Sequence, residues 1–255
     1  MSTTTQQVEG PAGAIHVDDG GIGGIPIVFV HSFAGSAAHW PSQLVHARAT
    51  RRAVSFDLRG HGQSAAPTND DYRVESLAKD LAAVIDGLQL NRVVLVGHGL
   101  GASVATAHAS EQADRVAGLL LVVPPGKVPP DQAQKTIKAL ESDFDKVSAG
   151  YYEKLLTGAK PNVRSMIMSD AERLPREAAL ALIKASQEYD AVSALRRYRG
   201  PKRSIVTSSN DTPIDLHNLL PDLSHVRIEG TSHWPQLDKP DEFNQQMDDF
   251  LASVR

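Results

Sequence analysis

The chain has 255 residues, 41% hydrophobic and 22% charged, which is enough to bury the core of one α/β domain with an insertion. A net charge of −4 offers no basic field to a phosphate backbone, so nucleic acid is not an expected partner. The lack of cysteine removes disulfides, thiolate nucleophiles and cysteine-bound metals together.

Met1 to Gly10 is polar, without a signal peptide's basic lead or apolar core, and no apolar run reaches the ~18 residues of a membrane span. A soluble, cytoplasmic chain with no membrane partner is expected. The first strand-length apolar run is Ile25 to Val30 (IPIVFV), preceded by the Gly-rich turn Asp18 to Gly24. Ala53 to Phe56, Val93 to Val96, Leu119 to Val123 and Ser204 to Thr207 follow, and such unbroken runs suit strands buried on both faces of a parallel sheet. Between them, Val74, Leu77, Leu81, Val84, Ile85 and Leu88 recur at helical spacing, as do Phe243, Met247, Phe250 and Leu251. This alternation predicts a mostly parallel sheet flanked by helices. It breaks between Pro124 and Lys202, where helical patterns such as Ile137, Leu140 and Phe144 replace strands. The predicted organisation is a core of residues 1–123 and 202–255 and a helical insertion of residues 124–201.

Four short segments fall at the ends of predicted strands. Gly97-His98-Gly99-Leu100-Gly101 lies between a strand and a helix, the setting of a G-x-S-x-G nucleophile elbow. His31-Ser32-Phe33-Ala34-Gly35 follows the first buried strand, Asp57 to Ser64 the next, and Gly230-Thr231-Ser232-His233-Trp234-Pro235 precedes the last helix. In this order they resemble the α/β-hydrolase superfamily, of the esterase and lactonase kind with a helical cap. The resemblance implies the α/β-hydrolase fold, no cofactor or metal, and a small ester or lactone as substrate. It implies His233 as general base, Asp211 as the acid that orients it with Asp215 as the substitute, and the N–H groups of Phe33 and Leu100 as oxyanion donors. The short stretch from Asp211 to His233 leaves room for a trimmed helix only, and Ser32 stands where the family commonly has glycine.

The elbow centre departs from the family, because Gly99 has no oxygen and an acyl-enzyme cannot form there. One reading is an inactivated or strongly impaired ester hydrolase, favoured by the persistence of acid, base and oxyanion turn. The other is a non-hydrolytic pseudoenzyme or small-molecule receptor using the same pocket. In the first, a water in the space left by the missing side chain is activated by His233. A degenerate dinucleotide fingerprint at Gly97 to Ala102 is the weaker alternative, since two strand patterns precede it. His98 is expected beneath the turn, Asp57 and Arg59 as a loop bridge, and Trp40 and Trp234 as either core or pocket wall.

Overall fold

The computed structural model describes residues 3–254. Its strands are β1 (Thr3–Gly10), β2 (Gly13–Gly20), β3 (Ile27–Val30), β4 (Ala53–Phe56), β5 (Val93–His98), β6 (Val116–Val122), β7 (Lys202–Val206) and β8 (Ser224–Arg227). They form one sheet in the order β1-β2-β4-β3-β5-β6-β7-β8, in which β2 runs antiparallel to both of its neighbours, β1 and β4, and the pairings from β4 to β8 are parallel. The central strands are buried along their whole length, as their unbroken Val, Ile, Leu and Phe content requires.

Eleven α-helices are described: α1 (Pro41–Ala47), α2 (Val74–Gly87), α3 (Leu100–Glu111), α4 (Pro130–Ser142), α5 (Phe144–Leu155), α6 (Pro161–Arg173), α7 (Arg176–Glu188), α8 (Ala191–Arg197), α9 (Leu216–Leu219), α10 (Pro235–Asp238) and α11 (Pro240–Leu251). On one sheet face Leu77, Leu81, Val84 and Ile85 of α2 pack with Val104 of α3 and Leu195 of α8 against Val28, Val54 and Leu95. On the other, Leu44 of α1 and Phe243, Met247 and Phe250 of α11 cover Phe29, Val94 and Leu120. Helices α4 to α8 occupy the stretch without strands. The last of them, although within the predicted insertion, joins the sheet-flanking layer through Ala191, Val192 and Leu195.

A smaller cluster ties the insertion down: Tyr152, Leu156, Val163 and Ile167 meet Ala34 and Trp234 from the loops after β3 and β8. Two polar contacts reinforce it. His39 Nε2 meets Asp170 Oδ2 of α6 at 2.8 Å, and the Lys160 N–H at the start of α6 donates to Asp238 at 3.0 Å. In the order β4-β3-β5 the chain departs from β3 in opposite directions. That reversal opens a crevice at the carboxyl ends of β3 and β5, where open α/β sheets bind ligands.

Candidate active site

The crevice continues into a cavity of about 690 Å³ between the sheet and the insertion. Ser32, Phe33, Gly99, Leu100 and His233 line its floor, and Leu140, Tyr152 and Leu182 are among the side chains contributed by the insertion. Four of the five residues expected at the site therefore come together.

The elbow forms as the glycine spacing predicts. Gly99 has φ 53 and ψ −117, a left-handed conformation that disfavours a side chain, and its N–H donates to Val122 O at 3.0 Å. A Cβ at Gly97 would fall 2.3 Å from Gly101 O, and one at Gly101 would fall 2.3 Å from Val30 O. Both glycines are needed for the helix to start this close to the strands. Leu100 opens α3, so its N–H has no carbonyl within that helix to bond, and no bond holds the Phe33 N–H either among the described residues; both residues line the cavity.

The loop carrying Ser32 and Phe33 is pinned by two histidines. His31 Nδ1–H donates to Ser32 O at 2.7 Å while its Nε2 accepts from the Leu58 N–H at 2.9 Å, a pairing that fixes the tautomer. His61 Nε2 accepts from the Ala34 N–H at 3.3 Å. Burial lowers the pKa of both rings, and each is held neutral, as an accepting nitrogen requires.

His233 reaches the elbow from the loop after β8. Its Nε2 is 3.6 Å from where a Cβ on residue 99 would sit. The loop is anchored on three sides: the His233 N–H donates to Leu155 O of α5 at 3.0 Å, His98 Nε2–H donates to His233 O at 2.9 Å, and Asp238 accepts from the Ser232 N–H at 2.9 Å. His98 packs beneath the turn against Trp40 and Trp234, and both tryptophans are core rather than cavity wall. Burial alone pushes the pKa of His233 down to about 4, so the ring is neutral at physiological pH.

Three expectations are corrected. Asp211 does not back His233: it pairs with Arg227 at the end of β8 and accepts from Asn218 and His217, which holds its pKa down at about 2. The substitute, Asp215, lines the cavity but spends one oxygen on the N–H and hydroxyl of Thr212, at 2.6 and 2.7 Å. Among the described residues no carboxylate meets the His233 ring. The trimmed helix expected between acid and base is present as the single turn α9. Second, the space beside Gly99 is not left to water, because Ser32 Oγ lies 2.1 Å from the missing Cβ. Third, Asp57 and Arg59 do not bridge each other. Asp57 accepts from the N–H groups of Ala37 and Gln63 at 2.7 and 2.8 Å, and the Arg59 guanidinium turns to the buried Asp80, with Nη2 2.7 Å from Oδ1.

Sequence reading also missed Asp238 and Asp170, which hold the histidine loop and the insertion. Each is an ordinary acidic residue on a helix, and only the folded arrangement shows what it faces. Among the described residues no group of three or more His, Cys, Asp or Glu side chains is placed to hold a metal ion. No helix among them is long and apolar enough to cross a membrane.

Residues 27–246 match the model of the alpha/beta hydrolase family. The chain belongs to this family. Its relatives include the sn-1-specific diacylglycerol lipase of Mus musculus, 25% identical over 249 residues that cover 89% of this chain and 80% of that protein. The dihydrolipoyllysine-residue acetyltransferase component of the acetoin cleaving system of Pseudomonas putida is 35% identical over 107 residues, 42% of this chain. The chain spans only 29% of that relative's length. Among solved structures of the alpha/beta hydrolase fold, an N-acyl homoserine lactone degrading enzyme superposes with a TM-score of 0.85 at 23% identity, covering 96% of this chain and 100% of the other.

Proposed function

We propose that this chain is an ester- or lactone-hydrolysing member of its family whose turnover is strongly impaired by glycine at the elbow. The observation that carries the reading is that Phe33, Gly99, Leu100 and His233 line one mostly apolar cavity, with His233 Nε2 3.6 Å from where a Cβ on residue 99 would sit. The unbonded N–H groups of Phe33 and Leu100 are candidate donors for the developing oxyanion of a carboxylic ester, and an apolar chamber suits its acyl or alcohol part. The lipase and lactone-degrading activities named for its relatives belong to the same substrate class.

The second reading, a pocket that binds such molecules without hydrolysing them, draws on the bare elbow and on an imidazole without a carboxylate behind it. Restoring serine decides between them, in a Ser32→Ala background so that two side chains do not contend for one space. In a serine protease the whole triad is worth about 10⁶ in turnover and the orienting acid about 10⁴ of that, leaving about 10² for a serine and histidine alone. Ser32→Ala/Gly99→Ser is therefore expected to hydrolyse p-nitrophenyl butyrate roughly 10²-fold faster than Ser32→Ala. No gain in a folded variant that still binds the ester supports the second reading.

A further inference from the structure

Covalent ester hydrolysis needs an attacking oxygen, a base for its proton and donors for the oxyanion. Gly99 removes the first and leaves the other two in place. The position is not empty of oxygen, however. The Cβ that residue 99 lacks would sit 2.1 Å from Ser32 Oγ and 3.6 Å from His233 Nε2, so the hydroxyl and the imidazole flank one spot. Ser32 lines the cavity, and among the described residues no protein group hydrogen-bonds its hydroxyl or the His233 ring nitrogens. The Ser32 main chain is fixed while its side chain is not. Its carbonyl accepts from His31 Nδ1–H at 2.7 Å and from the Gly35 N–H at 3.0 Å, which leaves χ1 as the one rotation that swings Oγ across the floor of the cavity.

The neighbours complete the set. The Phe33 N–H directly follows Ser32, just as the Leu100 N–H follows Gly99, and neither is bonded among the described residues, so both are free to donate to a carbonyl at this end of the cavity. His233 is held neutral by burial, and Nε2 is its ring atom nearest this spot, at 3.6 Å. In a chain with a side chain at position 99, its Cβ would drive Ser32 Oγ out of its present rotamer. In this chain, glycine gives Ser32 the ground.

We propose that Ser32 is the nucleophile of this chain, displaced from the elbow apex to the oxyanion loop and acting on the ester or lactone class on which the functional reading rests. Ser32 Oγ bonds to the acyl carbon as its proton passes to His233 Nε2. The acyl–oxygen bond then breaks, and the leaving oxygen takes that proton, departing as an alcohol or, from a lactone, staying as the hydroxyl end of the opened chain. Water attacks the acyl-Ser32 ester and gives a proton to His233, which returns it to Ser32 Oγ as the carboxylic acid leaves. No oxidant, metal or co-reactant besides water is consumed. This route supersedes a water held in the elbow, because Ser32 Oγ occupies the space such a water needs.

The test uses the full chain, its Ser32→Ala variant and Ser32→Ala/Gly99→Ser, each checked for folding by thermal unfolding. Ser32 Oγ has no protein partner, so Ser32→Ala is expected to fold. Each protein is treated with diisopropyl fluorophosphate, its adduct is weighed and mapped by peptide mass spectrometry, and its turnover of p-nitrophenyl butyrate is measured. The expected result is one adduct per chain on Ser32, absent from Ser32→Ala, with turnover lowered at least about 10²-fold in that variant. Turnover that survives Ser32→Ala, or an adduct on another residue, overturns the assignment and leaves the ester reading standing. A chain that neither labels nor turns over also overturns it, and the double variant then reports on the ester reading by itself.

Discussion

Gly99→Ala is the perturbation whose cost the structure specifies most closely. An L-residue at φ 53 and ψ −117 is strained by about 1–3 kcal/mol. The new Cβ also meets Ser32 Oγ at 2.1 Å, which a change of rotamer relieves, and Ser32 Cβ at 3.1 Å, which it does not. Displacing Ser32 adds about 0.5–1.5 kcal/mol. The total expected in the native background is thus roughly 1.5–4.5 kcal/mol, falling to about 1–3 kcal/mol once Ser32→Gly has removed both atoms. Urea denaturation of the four proteins of this cycle measures the difference, and each kcal/mol lowers the thermal midpoint by roughly 2–4 °C for a domain of this size. An alanine tolerated without loss would refute the elbow conformation. Equal losses in the two backgrounds would refute the placement of Ser32 beside it.

Other consequences follow from groups outside the elbow. Arg59→Met strands the fully buried Asp80 carboxylate and is expected to cost about 3–5 kcal/mol in urea denaturation, most of which Asp80→Leu in the same chain restores. Asp170→Ala removes the insertion's bond to His39, and faster amide hydrogen exchange across α6 than across α3 is the expected sign of a loosened insertion. His108 and His233 both have pKa values lowered by burial, to about 4, against an unfolded value near 6.5. The unfolded chain therefore holds protons that the folded chain refuses between those limits, and stability is full above pH ~6.5 and declines as the pH falls toward 4. His108→Gln flattens that decline, and a stability that rises on acidification over this range contradicts the assignment.

The sequence exposed the parts of the fold whose burial is two-sided. β3 to β7 stand out as apolar runs because helices cover both faces of the sheet. The β1–β2 hairpin carries Thr, Gln and Asp on a solvated edge, and β8 is the four-residue SHVR, half in water, so neither has an apolar run to find. Gly97, Gly99 and Gly101 were legible because close backbone approach leaves a mark on residue type. The pairing of Asp211 was not, since Arg227 competes for it from the end of a different strand, and charge leaves no trace in a turn motif. Nor was the position of Ser32, a matter of how the ends of β3 and β5 face each other across the switch in strand order.

The site turns on an imidazole aimed at the elbow and held neutral by burial with no carboxylate at its back. A ¹⁵N NMR titration of the His233 ring in the intact protein measures this directly. The expected midpoint is about 4, with no low-field proton of a carboxylate-bound nitrogen. A midpoint at or above the ordinary histidine value of ~6.5, with that proton present, would contradict it.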